Sequence, residues 1–240
     1  MQFYLSDTKA GILVVDEPNA KEEFPGIVAA RKLGIPVCSL DVHISKGEGA
    51  GPVSPSVKLV VQAGVDATKS MTNGHGANDS GPTIATPTPD TLCLILHTSG
   101  TTGKPKAVSL SHANLSCSAV NVASSYELGA KDRGYLIQVL FHIHGIVASL
   151  LAPLVSGGSV VIPNKFDAGA TWIDFATLKC TWLSGTPSAL QILLHAPKAG
   201  PSLGIRFLRS CSSPLLPSTF QALQEAFQCP VLEAYAMTGK

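Results

Sequence analysis

Apolar runs of strand length alternate along this chain with segments of helical length. GILVVD (11–16), PVCSL (36–40) and VKLVVQ (57–62) read as strands. The stretch 19–33 reads as a helix, closed by Gly34 with Pro36 just beyond. Residues 66–90, rich in Gly, Thr, Pro and Asn, show no periodicity and read as a connector. TLCLIL (91–96) follows as a buried strand, then KAVSLS (106–111) and a helix over 112–126. Strand 134–140, helix 145–155 and strand 159–162 come next. Helices 167–178, 187–195 and 218–227 then alternate with strands 181–184, 205–210 and 231–235. The alternation predicts an α/β fold of layered, mostly parallel sheets with flanking helices. Ligands of such sheets bind beyond the carboxyl ends of the strands. Three chemically distinctive stretches follow strands: HTSGTTGKPK, FHIHG and RSCSSP.

Composition narrows the picture. The chain has 240 residues, 45% hydrophobic, with 14% charged against roughly 25% in ordinary soluble domains. A net charge of +1 gives no electrostatic footprint for nucleic acid or an acidic membrane surface. The six cysteines are scattered without metal-ligand spacing and read as reduced, buried thiols. The N-terminus lacks the basic-then-apolar order of a signal peptide, so the expected location is the cytoplasm. Residues 134–164 carry no Asp, Glu, Lys or Arg, yet Pro153, Gly157, Gly158 and Pro163 interrupt them. Strand, helix and strand explain that run better than a membrane span of about 20 unbroken apolar residues.

The densest chemistry is HTSGTTGKPK (97–106). Small residues let the backbone approach a ligand, and N–H groups in a Gly-containing turn form a nest for an anion. Hydroxyls of Thr98, Ser99, Thr101 and Thr102 add donors, and Lys104 and Lys106 add positive charge. The sum suits a polyanion, most simply a nucleotide's phosphates. It is not the GxxxxGK[ST] loop of ATPases, because Gly100 and Gly103 stand too close and Pro105 follows Lys104. Nor does it have the glycines of a GxGxxG dinucleotide turn.

TSGTTGKPKAV (98–108) resembles the signature loop of the adenylate-forming enzymes, and other segments agree in order. SHANL (111–115) resembles the helix start after that loop, LFHIHG (140–145) the second core motif, RSCSSPL (209–215) the adenine-side turn, and EAYAMT (233–238) the closing tyrosine–threonine motif. FHIHG, APLVSGGSVVIP, IRFLRSCSSPL and PVLEAYAMT are most similar to the oxalate–CoA ligase or peroxisomal-CoA-synthetase-like branch. The resemblance implies an acyl-CoA synthetase. A small-molecule carboxylate and ATP would give acyl-adenylate and pyrophosphate, and coenzyme A would then take the acyl group, with Mg2+ neutralising the triphosphate. Thr98, Ser99, Gly100, Thr101, Thr102, Gly103, Lys104 and Lys106 would grip the phosphates. Ser212, Ser213 and Pro214 would line one face of adenine, with Tyr235 on the other and Glu233 and Ala234 leading into it. Thr238 would bind the α-phosphate. His142 would stand between phosphates and acyl group, and His144 and Ser210 would line the acyl pocket. Taken alone, two histidines at i and i+2 in an apolar stretch read as packed residues. No nearby cysteine or carboxylate completes a zinc site with them.

The resemblance also implies an organisation. Residues 1–65 would be a partial first α/β subdomain, 66–90 a flexible connector, and 91–240 a truncated nucleotide-binding core. The whole would be an incomplete large N-terminal domain without the family's C-terminal domain, its catalytic lysine or the peroxisomal address of some relatives. One departure lies inside the motif. Gly239 stands where the family's glutamate helps hold magnesium. The chain as it stands is therefore expected to be inactive in full turnover, and the alternative is a catalytically dead ATP/AMP-binding module.

Overall fold

Proline, glycine and capping residues set most element boundaries. The computed structural model describes residues 1–16, 21–44, 55–61, 86–98, 105–197 and 203–239. They divide into two units, Met1–Thr86 and Pro87–Lys240. Most of the expected connector, residues 66–85, lies outside the described residues.

The first unit holds α1 (Gln2–Asp7), β1 (Leu13–Asp16), α2 (Pro25–Lys32), β2 (Val37–Ile44) and β3 (Pro55–Val61). β2 lies between a parallel β1 and an antiparallel β3. The helix expected from residue 19 starts at Pro25, because the residue before a proline avoids helical geometry and Phe24 is extended (φ −60°, ψ 125°). Gly34, at φ 66°, ends it. The Ile35 N–H then reaches the Ala30 carbonyl at 2.9 Å. Ile27, Ala30, Val15 and Val37 form the core. The periodicity did not predict α1, which contributes Leu5 to that core.

In the second unit, β4 (Leu92–Thr98) and β5 (Lys106–Ser111) form an antiparallel pair of their own. TLCLIL was expected to be buried. Instead only Leu96 of β4 is buried, and Leu92 is exposed, because the pair packs by one face. That face meets α3 (His112–Ser125) and a π-helix (His144–Leu151) through Leu96, Leu110, Leu115, Ala119 and Val147. Ser111 starts α3 with a capping box: its Oγ accepts the Asn114 N–H, and Asn114 Oδ1 accepts the Ser111 N–H.

The main sheet contains β6 (Arg133–Leu136), β7 (Ser159–Val161), β8 (Trp182–Gly185), β9 (Phe207–Cys211) and β10 (Val231–Ala234) in the order β10-β9-β8-β6-β7. Every neighbouring pair is parallel. One face, with Tyr135, Leu183, Leu208 and Val231, packs on α5 (Ala168–Thr177), α6 (Pro187–Leu194) and α7 (Pro217–Phe227). Trp172, Phe175, Leu190, Leu193 and Leu223 fill that layer. The Trp172 indole N–H donates to the Leu193 carbonyl at 2.9 Å. Burial, and then a 3.0 Å hydrogen bond to Asp174, push the Tyr135 phenol up to about 12. Burial also raises the Cys180 and Cys229 thiols to about 11, so both are inert. Of the other cysteines, Cys38 and Cys211 are buried, whereas Cys93 and Cys117 are exposed, against the expectation of six buried thiols.

The opposite face begins with Trp182 stacked on Phe207, ring centroids 5.2 Å apart. Gly134 makes room: a Cβ there would come within 3.3 Å of the indole. β6 stops at Leu136 rather than residue 140. The expected helix 145–155 is a π-helix that runs into α4 (Ala152–Val155). No helix among the described residues is long and apolar enough to cross a membrane.

Candidate active site

The chain leaves β6 outward to β7, then returns past β6 to β8. Strand order therefore reverses between β6 and β8, and the crevice beyond their carboxyl ends is the expected ligand position. His144 is there. It is 4% exposed, at the start of the π-helix. A Cβ on Gly145 would lie 2.2 Å from the Val139 carbonyl oxygen, so only glycine permits this return of the chain.

Ser184 and Tyr126, outside the sequence motifs, and Arg209, the first residue of RSCSSPL, surround the imidazole or its neighbours. Ser184 is the penultimate residue of β8, on the same face as Trp182, and Arg209 of β9 is its register partner. Arg209 Nη1 lies 3.0 Å from His144 Nε2 and donates to Ser184 Oγ at 3.0 Å. Its Nε donates to the Tyr126 hydroxyl at 2.9 Å, and its guanidinium carbon stands 5.5 Å from the centre of that ring. A guanidinium only donates, so Nε2 is an acceptor and the imidazole proton sits on Nδ1. Ser184 Oγ, 2.6 Å from Nε2, then donates to it. Nδ1–H donates to Ser212 Oγ at 3.0 Å. Burial, then the Arg209 charge, then His142 depress the imidazole to about 3, so His144 is neutral at physiological pH.

Arg209 is itself 4% exposed. Among the described residues no carboxylate pairs with it and Nη2 makes no hydrogen bond. A buried cation without a counter-charge is costly, and an arriving anion removes that cost.

The other expected site residues fall around this centre. His142 is exposed, and its Nδ1 accepts the His144 backbone N–H at 3.1 Å, leaving Nε2 free of that bond. Ser212, Ser213 and Pro214 form an exposed turn after β9. The Glu233 carboxylate braces it by accepting the Leu215 N–H at 3.2 Å. Ala234 pairs with Cys211, so Tyr235 and Ser212 leave the sheet side by side, and the Tyr235 ring is 91% exposed. Thr238 and Gly239 lie in a turn whose Gly239 faces Val108 of β5, a built Cβ being 3.7 Å from its Cγ1. Thr98 and Lys106 are register partners at the end of the β4–β5 pair. Ser99, Gly100, Thr101, Thr102, Gly103 and Lys104 lie outside the described residues. Ser210 is not brought into the cluster. It is fully buried on the Leu208 face of β9, opposite Arg209, and its hydroxyl has no partner among the described residues.

An exposed aromatic beside a small-residue turn, at the carboxyl edge of a parallel sheet, fits a planar base. The described residues contain no cluster of three His, Cys, Asp or Glu that could hold a metal ion. The model of the AMP-binding enzyme family matches residues 1–239. The chain belongs to that family. Oxalate–CoA ligase of Saccharomyces cerevisiae is 48% identical over 147 residues, 61% of this chain and 27% of that protein. Oxalate–CoA ligase of Arabidopsis thaliana is 36% identical over 243 residues, 99% of this chain and 43% of that protein. Sulfoacetate–CoA ligase of Cupriavidus necator is 41% identical over 161 residues, 67% of this chain and 32% of that protein. Among solved structures, ATP-bound MatB from Rhodopseudomonas palustris matches 99% of this chain and 42% of its own, with TM-score 0.72 and 25% identity. The chain thus spans less than half the length of these family members, and its fold is that of their α/β domain.

Proposed function

We propose that the chain is part of an AMP-forming acid–thiol ligase whose acid carries a second anionic group, with oxalate as the leading candidate. The observation that carries this reading is Arg209, a buried cation whose only described partners are neutral. Relatives named for oxalate and sulfoacetate support it, since each of those acids has an anionic group besides the carboxylate that is activated. Arg209 and Ser184 would bind the distal anion by donated hydrogen bonds, and neutral His144 would hold them in place without adding charge. The proximal carboxylate would then face the α-phosphorus of ATP, attack it and release pyrophosphate. Coenzyme A would take the acyl group from the adenylate in a second step.

The adenine would rest between Tyr235 and the 212–214 turn, and Thr98 and Lys106 with the intervening loop would meet the phosphates. His142 would stand between phosphates and acid, and Thr238 would bind the α-phosphate. Magnesium would enter with ATP as part of the substrate. The test is acid-dependent ATP–pyrophosphate exchange by the complete protein. Oxalate or sulfoacetate should support exchange better than a medium-chain fatty acid. Equal or better exchange with the fatty acid overturns the reading.

Gly239 favours a second reading, a nucleotide-binding module without turnover, because glycine offers no carboxylate to a metal. That reading requires ATP or AMP to raise the melting temperature while no acid supports exchange.

A further inference from the structure

Ser212 has a backbone that its side chain does not suit. Its φ is 81°, in the left-handed region where glycine is at ease. Among the described residues, the other non-glycine positions with positive φ are Lys9, Glu127, Lys179 and Gln228. Each follows the last turn of a helix, where a left-handed residue is the ordinary terminator. Ser212 follows a strand instead, and it ends no helix. What a serine supplies here and a glycine cannot is its hydroxyl, 3.0 Å from His144 Nδ1. Arg209 beside His144 Nε2 favours an accepting Nε2. A proton on Nδ1 then needs an acceptor of its own, and the Ser212 oxygen is placed to be it.

The geometry points to Ser212 as a positioning residue that holds His144 in its Nδ1–H form and so couples the adenine-side turn to the acid pocket. In the Nε2–H form the imidazole would point a proton at the Arg209 guanidinium, and the Arg209–Ser184–His144 triangle would open. The same residue belongs to the turn beside Tyr235, so the conformation of that turn and the readiness of Arg209 for an anion are set together. The acid-recognition part of this inference rests on the proposed function, whereas the tautomer part does not.

Two variants of the complete protein separate this role from a merely structural one. Ser212→Gly relieves the backbone and removes the hydroxyl, and Ser212→Ala removes the hydroxyl alone. Histidine ring carbon and nitrogen chemical shifts report the His144 tautomer, with His144→Gln assigning the signal. The parent should show the Nδ1–H form. Both variants should lose that single form, while Ser212→Gly melts no lower than Ser212→Ala. In pyrophosphate exchange, Ser212→Gly should lower the preference for oxalate over butyrate about tenfold, the scale of one hydrogen bond to a buried partner. An unchanged His144 tautomer in Ser212→Gly overturns the inference. Should the parent itself show no preference for oxalate, the proposed substrate class fails while the tautomer measurement still decides the role of Ser212.

Discussion

Arg206 immediately precedes β9 and Arg209 sits at its middle, and among the described residues only Arg206 has a counter-charge. Arg206, at the entry to β9, pairs with Asp132 at 3.1 Å and donates to the carbonyls of Tyr126 and Glu127. Asp132 in turn accepts from Thr181 and from the Gly129 N–H. Arg206 thus has its counter-charge within the chain. Within the strand, Arg209 is more deeply buried and touches a phenol, an alcohol and a neutral imidazole. A charge whose partner is built in ties elements together. A buried charge whose partner is missing marks where an anion is expected.

The largest effect should come from Arg209→Met. Losing a buried charge–charge contact costs about 2–5 kcal/mol of binding, so oxalate-dependent exchange should fall on the order of a hundredfold or more. Thermal unfolding should show no loss of stability, since an unpaired buried charge has been replaced by an apolar chain of similar length. Asp132→Asn should do the reverse: a loss of about 1–3 kcal/mol in denaturant unfolding, from Arg206 deprived of its carboxylate, with the ranking of acids unchanged.

A pH experiment comes next. His144 titrates near 3 when folded and from its ordinary 6.5 when unfolded. The folded value is the lower one, so as pH falls through 6.5 the unfolded chain takes up a proton that the native chain refuses. The stability present above 6.5 should fall by up to about 1.4 kcal/mol per pH unit towards pH 3, and His144→Gln should flatten that part of the profile. The smallest effect divides the two arginines most finely. The Tyr126 carbonyl serves Arg206 and its hydroxyl serves Arg209. Tyr126→Phe removes only the second contact, so KM for the acid should rise by about fivefold, about 1 kcal/mol, with the melting temperature nearly unchanged.

Much of this arrangement was legible in the letters. Helices α3, α5, α6 and α7 begin within a residue of their expected starts, because Ser111, Asp167, Pro187 and Pro217 mark those starts locally. The edge on which FHIHG and RSCSSP meet followed from strand–helix alternation, and EAYAMT reaches it because β10 lies beside β9. The antiparallel β4–β5 pair did not, because an apolar run of strand length does not say whether one face or both will be covered. Ser184, Tyr126 and Arg209 escaped for a different reason: each is ordinary in its own segment, and they meet only through sheet register and the end of α3. The one available signal was an arginine set at a buried position inside the apolar strand IRFLRS. For Ser210 the strand period itself decides the placement, on the face opposite Arg209.

The most direct test is a crystal structure of the complete protein with oxalate and a non-hydrolysable ATP analogue. The account predicts one oxalate carboxylate within about 3 Å of an Arg209 guanidinium nitrogen and of Ser184 Oγ, with His144 Nδ1 still bonded to Ser212. Oxalate bound elsewhere, with Arg209 still touching only Tyr126, Ser184 and His144, would contradict it.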